Sequence, residues 1–483
     1  MLRRVMDASL DQIARSPADH RFADALRAKL PEAAFPPLEP HHVTEPRGRW
    51  RGQAGCLVAP GATDEVAAVI RAAAEARVPV VPVAGGTGLV AGQIMAEGPA
   101  PVLLSLARMA RIRAVHEREN VLVAEAGTIL ADVQRTAREA GRRFPLSLAS
   151  EGTARIGGLL ATNAGGIGVL RHGNARDLTL GIEAVMPDGR VMHSLRRVAK
   201  DNAGYDLRHL LIGAEGTLGV ITAATLRLAP APAAQATALI AVPGPEAALD
   251  LLALTGERHG GQIEAFELIG AAGLEFLAET MPDIARPLTP HPPWCVLIEL
   301  GLAAGQDPDA ALAALFESAS EAGLAEDGVI AASEAQRAAL WRLREAIPEA
   351  NRQIGAISSH DISVPLSEIP RFIAEADAAI RALGPFRVNC FGHLGDGNLH
   401  YNVFPPPGGR RADHEDLRPA IQRRVHDLAH GAGGSVAAEH GIGRLKVDDL
   451  QRYGDPAALS AMQAVKAALD PQGIMNPGAV LPA

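Results

Sequence analysis

The sequence predicts a mixed helix-and-strand protein of two or three domains, on three observations. Its 483 residues exceed what one ordinary hydrophobic core holds. A strand–helix–strand pattern begins at Gly55. A second run of strands and helices follows "APAPAAQAT", Ala229 to Thr237, which reads as a linker. Hydrophobic residues at 48% and charged residues at 21% describe a well-packed core with a solvated surface. Aromatics at 3% and a net charge of −9 argue against a nucleic-acid partner. The three cysteines, Cys56, Cys295 and Cys390, form no CxxC pair, so neither an iron–sulfur cluster nor a disulfide framework is indicated.

In chain order, residues 1–45 read as a helical preface ending in a proline-rich stretch. The segment "MLRRVMDASLDQIARS" carries Asp7 and Asp11 and lacks a long apolar core, so no signal peptide is read. No apolar run approaches the ~20 residues of a membrane helix. The default compartment is the cytoplasm, with a peripheral contact to the inner membrane left open. "GCLVAP" reads as a strand, "TDEVAAVIRAAAEARV" as a helix capped at Thr63 or Asp64, and "PVVPVAGGTG" as a strand entering a glycine loop. Between Pro101 and Val220, β-rich pieces such as "PVLLSL", "VLVAEAG" and "TLGIEAVMPDGRVM" alternate with glycine-dense loops. A domain from 46 to 230 accounts for them. Strands "TALIAVPG", "GQIEAFELIG" and "WCVLIELG", a helix from about Pro245 and an amphipathic stretch from Ala310 to Leu324 belong to a second domain, 231–430. The helix "HEDLRPAIQRRVHDLAHGAGG" stops at its glycines, and residues 431–483 close the chain.

Three glycine loops stand out. "AGGTGLVAG" contains Gly86-x-Gly88-x-x-Ala91, formally a dinucleotide fingerprint. Its context fails: Pro79 and Pro82 interrupt the strand before it, no helix follows, and no acid ends the next strand. The loop is then either a surface turn or an anion-binding nest of successive backbone N–H groups. "SLASEGTARIGGLLATNAGGIGVLRHGN" and "LLIGAEGTLGVIT" add further glycines, including Gly157, Gly158, Gly165, Gly166, Gly213, Gly216 and Gly219. Glycine lets backbone approach a flat ligand. Together the loops fit an elongated ligand with a pyrophosphate and ring systems.

"CFGHLGDGNLHYNV" raises a metal question. Asp396-Gly397 as a two-residue type I′ turn puts His393 opposite His400, with Cβ atoms ~5 Å apart on one face. A turn of another length spoils that pairing. "AAEHGIGRLK" offers Glu439 as a third ligand, beside His440. "GSVAAEH" reads as a short strand, in which neighbouring Glu439 and His440 point apart unless the glycines bend the chain, and they are assigned different roles. Asn398 and Asn402 are read as supports of the turn or of the ligands.

The ordered set "VPVAGGTGLVAG", "GTARIGGLLATNAGGIGVLRHG", "DLRHLLIGAEGTLGVIT", "FGHLGDGNLH", "AEHGIGRLK" and "DPQGIMNPGAVLP" resembles the FAD-linked D-2-hydroxyacid dehydrogenases of the vanillyl-alcohol oxidase type. The likeness runs from about Arg51 to the end. It implies an α+β fold: an FAD-binding domain of two subdomains and a cap domain with an antiparallel sheet flanked by helices. It implies that Gly85, Gly86, Thr87 and Gly88 hold the FAD pyrophosphate. Ser150, Thr153, Gly157, Gly158, Asn163 and Ala164 would lie along the flavin, with Gly219, Ile221 and Asn476 near it. Ala84 stands where relatives usually have a glycine, which requires φ < 0 or a wider loop. No histidine or cysteine lies in the first loop, so the FAD is expected to be non-covalent.

The same resemblance implies His393, His400 and Glu439 as ligands of a divalent metal and His440 as proton acceptor. Two imidazoles and a carboxylate suit zinc, and also iron or manganese. The implied reaction oxidises a D-2-hydroxy acid to the 2-oxo acid, with hydride passing to the flavin N5 and electrons leaving to a separate acceptor such as a quinone, an electron-transfer flavoprotein or a cytochrome. Arg344 is implied to grip the substrate carboxylate, with Asn402 nearby and Lys446 as a further cation. In the hydroxyglutarate-specific members a threonine and a lysine also touch substrate. Pro348 and Ser359 occupy those places here, which favours a monocarboxylate such as lactate over 2-hydroxyglutarate. The alternatives are a D-2-hydroxyglutarate dehydrogenase proper, another alcohol or aldehyde oxidoreductase on the same scaffold, or a flavoprotein subunit of a glycolate- or lactate-oxidising complex. A homodimer is among the assemblies open to it.

Overall fold

The computed structural model describes residues 14–483. Most of the stretch used to judge a signal peptide lies outside them. The chain divides into two compact units. The first comprises the residues up to Gly165, 173–231 and 440–483; the second comprises 166–172 and 232–439.

The first unit opens with three parallel strands, β1 (Cys56–Val58), β2 (Val80–Val83) and β3 (Val102–Ser105), ordered β1-β3-β2. Their near-continuous apolar runs suit a sheet buried on both faces. The helix Thr63–Ala76 links β1 to β2 and buries Val66, Val69, Ile70 and Ala73, which recur at three- and four-residue spacing. It ends at Arg77, whose φ of 55° breaks the helical repeat. Pro82 is tolerated because β2 lies at a sheet edge, where its missing N–H removes no ladder bond. Along that edge Val80 bridges to Met475, bringing the C-terminal segment beside the strand.

Strands β4 (Ile112–His116), β5 (Val121–Glu125), β7 (Thr179–Val185), β8 (Val191–Ser194) and β9 (Val220–Arg227) form an antiparallel sheet, order β4-β5-β9-β7-β8. The short β6 (Arg142–Arg143) and β10 (Ala229–Pro230) pair with each other.

The stretch expected to be a linker is mostly strand. Residues 229–230 are β10, and β11 (Ala234–Val242) starts three residues before the expected end at Thr237. The low-complexity composition concealed a ladder partner: Ala234 to Thr237 pair with Leu302 to Glu299, and the Thr237 hydroxyl donates to Glu299.

The second unit is built on β11, β12 (Ile263–Gly270), β13 (Trp294–Leu302), β14 (Asp327–Ile330), β15 (Ser358–Ser363), β16 (Arg387–His393) and β17 (Asn398–Phe404). These form one antiparallel sheet, order β14-β11-β13-β12-β16-β17-β15. Helices Pro245–His259, Pro308–Glu321, Ile369–Leu383 and Arg418–Gly431 supply the core of one face through Leu251, Leu315, Phe372 and Val425. Helices Ala271–Thr280 and Glu334–Ile354 cover part of the other through Leu277 and Ile347. Alternation assigns the side chains of β17: Leu399, Tyr401 and Val403 enter the four-helix face, while Asn398, His400 and Asn402 lie on the opposite one.

The three cysteines are unpaired, and burial pushes the thiols of Cys56 and Cys295 up to about 11 and about 12.

Phe372, 1% exposed, packs edge-on against Tyr401 with centroids 5.8 Å apart. Phe372→Ala is expected to destabilise this unit by about 3–5 kcal/mol, read as a shift of its urea midpoint by circular dichroism. A loss below about 1 kcal/mol would contradict a close-packed site there.

Candidate active site

In the first unit a cleft of about 130 Å³ opens where the chain leaves β2. Gly85, Gly86, Thr87, Gly88, Gly157, Gly158, Gly219, Ile221 and Asn476 line it. Two glycines are dictated by contacts. A Cβ on Gly85 would lie 2.5 Å from the Thr153 carbonyl oxygen, and one on Gly158 would lie 3.1 Å from the Ala84 methyl. Ala84 itself stays outside the left-handed region, so the missing glycine is accommodated by the bareness of Gly158.

Ser150, Thr153, Asn163 and Ala164 are not among the lining residues. They sit behind it. The Ser150 carbonyl accepts the Thr153 and Ala154 N–H groups, Asn163 takes φ 51° and accepts the Arg176 N–H at 2.9 Å, and Ala164 is buried.

Three residues absent from the sequence reading shape the cleft. Gln93 donates to the Gly86 and Gly88 carbonyls at 3.3 and 3.2 Å, bracing the first loop. Arg155 donates to the Gly127 and Ala107 carbonyls. Glu215, with φ 50°, accepts the N–H groups of Ile442 and Gly443 at 2.7 and 2.8 Å. Burial pushes its carboxyl up despite those bonds. Asn476 donates to the Glu215 and Gly92 carbonyls at 2.7 and 3.1 Å and accepts from Arg444 at 2.7 Å. The contacts of Glu215 with residues 442 and 443, and of Asn476 with Glu215 and Gly92, join segments hundreds of residues apart, so no local pattern marks them.

In the second unit the hairpin departs from the expected register. Leu394–Asp396 form a 3-10 turn and Gly397 takes φ 81°. His393 therefore pairs with Asn398, and His400 with Phe391. The Asp396 carboxylate, accepting the Asn398 N–H at 3.1 Å, favours this longer loop over the two-residue turn. The error is two residues, and strand side chains repeat every two, so both histidines still share a face. They are diagonal neighbours with ring centroids 5.6 Å apart.

Glu267 on β12 lies opposite His393 on β16 and accepts from its Nδ1 at 2.6 Å. Arg344 donates from Nε and Nη2 to the other Glu267 oxygen at 2.8 and 2.6 Å, with its guanidinium carbon 4.7 Å from the Phe391 ring centroid. Burial alone would raise the Glu267 carboxyl, but His393 and Arg344 hold it down at about 2. Burial would lower His393, and Glu267 overrides it and lifts it to about 9. The arginine expected to face a substrate thus has two nitrogens engaged by Glu267.

The segment "GSVAAEH" is not a strand. A single bridge joins Ser435 to Ser363, after which the chain bends. Gly434 permits that approach, since a Cβ there would stand 2.1 Å from the Ser363 carbonyl oxygen. The Glu439 N–H then donates to Asp361 at 3.0 Å, and its carboxylate comes within 3.8 Å of His400 Nε2. One donor atom from each of His393, His400 and Glu439 lies within 4.8 Å of the other two. Zinc bonds of about 2.0–2.2 Å need slightly closer donors, within reach of small side-chain rotations. With Nδ1 of His393 bonded to Glu267, its other ring nitrogen remains for a metal. The donor set fits a divalent cation.

Asn402 donates to the His400 carbonyl at 3.2 Å. His440 follows Glu439 directly in the chain and is half-buried, and Lys446 precedes the helix Val447–Tyr453; both belong to the first unit. Glu267 and Asp361 escaped the sequence reading. Glu267 was marked by being an acid in a mostly apolar strand, whereas Asp361 stands in the polar run Ser358–Ser363 and carries no such signal.

Two family models match this chain. Residues 54–194 match the FAD binding domain, and residues 231–480 match the C-terminal domain of FAD linked oxidases. The chain is 37% identical over 440 residues to a D-2-hydroxyglutarate dehydrogenase of Xanthomonas citri pv. viticola, covering 91% of each. It is 36% identical over 450 residues to the mitochondrial D-2-hydroxyglutarate dehydrogenase of Bos taurus, covering 92% of this chain and 80% of that one. Among solved structures, p-cresol methylhydroxylase superposes with a TM-score of 0.74 at 16% identity, covering 97% of this chain and 99% of the other. Alkyldihydroxyacetonephosphate synthase gives 0.71 at 16% identity, covering 97% and 87%. At such identities they speak for the fold alone.

The fold is that of the vanillyl-alcohol oxidase type of flavoproteins, an FAD-binding domain plus a C-terminal cap domain with an antiparallel sheet. The chain belongs to the FAD-linked D-2-hydroxyacid dehydrogenases, oxidoreductases acting on CH–OH donors. No helix of the described residues is long and apolar enough to cross a membrane.

Gly85→Ala is expected to weaken FAD retention at least tenfold, because the Thr153 carbonyl must move to admit the methyl. The visible flavin absorbance of the purified protein relative to its 280 nm absorbance checks this. An unchanged ratio would remove the first loop from the FAD cradle.

Proposed function

We propose that this chain oxidises a D-2-hydroxy acid to the 2-oxo acid, with FAD bound in the cleft and a divalent cation, zinc by ligand type, held by His393, His400 and Glu439. The observation that carries the reading is the convergence of three donors within 4.8 Å of one another, with His393 buried and His400 and Glu439 half-buried. When bound, FAD supplies the hydride acceptor, and the cation supplies a charge that gathers the substrate's hydroxyl and carboxylate oxygens and lowers the hydroxyl pKa.

The chain's own residues do the rest. His440, next in sequence to a ligand, takes the hydroxyl proton, a task suited to an imidazole near neutral pH. Arg344 keeps Nη1 outside its pairing with Glu267 and offers it to the substrate carboxylate, where guanidinium suits the two oxygens. Asn402, tied to the His400 backbone, supports the substrate beside that histidine, and Lys446 is a further cation for it. Gly85, Gly86, Thr87 and Gly88 cradle the pyrophosphate with bare backbone, and Gly157, Gly158, Gly219 and Asn476 border the rings. Ser150, Thr153, Asn163 and Ala164 hold that border in shape. Electrons leave to a separate acceptor, a quinone, an electron-transfer flavoprotein or a cytochrome.

Residue 359 tunes the substrate. Ser359 pairs with Asn402, two rungs along the ladder from the Asp361–His400 pair and so on the same face. Pro348 lies in the helix of Arg344, one turn on. Neither supplies a cation for a distal carboxylate, which favours a monocarboxylic 2-hydroxy acid. The second reading, D-2-hydroxyglutarate itself, is favoured by the names of the relatives.

A screen of D- and L-2-hydroxy acids with a dye acceptor tests the reaction. Turnover is expected with D-enantiomers only, lost with EDTA and restored by zinc, manganese or iron. His393→Ala should lower it at least 100-fold. Activity indifferent to chelation and to that variant would sink the metal site. Ser359→Lys is expected to raise kcat/KM for D-2-hydroxyglutarate about 10-fold or more relative to D-lactate, the scale of one charge-assisted hydrogen bond. A wild type that already prefers hydroxyglutarate tenfold decides for the second reading.

A further inference from the structure

We propose that Glu267 is the positioning residue of the cation site, and that Arg344 acts on that site through it. The inference rests on the metal reading above and deepens it. Antiparallel pairing sets Glu267 on β12 opposite His393 on β16, on one face of the sheet. The carboxylate divides its work: Oε1 accepts from His393 Nδ1 at 2.6 Å, and Oε2 accepts from Arg344 at 2.6 and 2.8 Å. An imidazole has two nitrogens. Fixing the proton on Nδ1 leaves the Nε2 lone pair as the donor to a cation and sets the plane of the ring.

Arg344 completes the arrangement from a different element, the helix Glu334–Ile354. Its fork on Oε2 prevents the carboxylate from rotating, and stacking at 4.7 Å from the Phe391 ring centroid holds the guanidinium in place. The side chain of Glu267 is 1% exposed and that of Arg344 8%, so water is not on hand to replace either partner. The chain of contacts Arg344–Glu267–His393 therefore ends at a ligand nitrogen, and its rigidity is passed to the donor set.

The test is cation affinity, measured without turnover. FAD-loaded protein stripped of metal is titrated with zinc against a chromophoric chelator of known affinity, for the wild type, Glu267→Gln, Glu267→Asp and Arg344→Met. Glu267→Gln keeps the shape and loses the charge, and it is expected to bind zinc 10–100-fold more weakly, the usual cost of losing a partner behind a histidine ligand. Glu267→Asp keeps the charge but withdraws it by one methylene, and it should fall between. Arg344→Met should weaken binding in the same direction. Flavin content and the thermal midpoint in EDTA report folding. If Glu267→Gln does not fold, Glu267→Asp decides the matter. A lowered midpoint with wild-type zinc affinity would show a purely structural ion pair and overturn the inference alone. A wild type that takes up no zinc overturns the metal reading and this inference with it.

Discussion

The antiparallel register across β12, β16, β17 and β15 is the constraint on which the second unit's chemistry depends. It places Glu267 against His393, sets His400 on the diagonal, and puts Asp361 opposite His400. Slipping one strand by a single residue would turn its set to the opposite face, where Leu399, Tyr401 and Val403 now fill the core. Burying those apolar residues is what makes the register unambiguous, so the hydrophobic face specifies the polar one. The site is then paired and charge-balanced rather than merely polar, since Glu267 lies between Arg344 and His393.

The first unit solves a different problem, that of bringing backbone close to a large flat ligand. Its cleft is bordered by glycines whose missing Cβ atoms are required by their protein neighbours. Gly85 fits beneath the Thr153 carbonyl, and Gly158 makes room for Ala84. Small loops of this kind have little core of their own. They are steadied by long-range bonds, with Glu215 clasping residues 442 and 443 and Asn476 joining the first and third loops. Lys466, buried, donates to the Thr217 and Met475 carbonyls and to Asp470, adding a second tie between the third loop and the C-terminal segment.

Much of the architecture was legible where local pattern and burial coincide. The helix Thr63–Ala76 and the strands β11, β12 and β13 follow apolar runs and spacings visible in the chain. Misreadings fell where a partner distant in sequence decides the conformation. Ala229–Thr237 has linker composition, yet most of it is strand because β6 and β13 offer ladders. "GSVAAEH" alternates like a strand, yet only Ser435 bridges to β15. The hairpin error was of the forgiving kind, since a shift of two preserves the face.

The sequence by itself determined the family, the residue types available to the site and the face each strand presents, because all three depend on ordered motifs and a period of two. Tertiary structure alone decided which acid stands behind which histidine, that Arg344 pairs with Glu267, and that Glu439 bends in toward His400. Those are meetings between segments far apart in the chain. The free energy that holds them comes from burying the sheet faces and satisfying the charges left inside, and neither quantity is written in any local stretch.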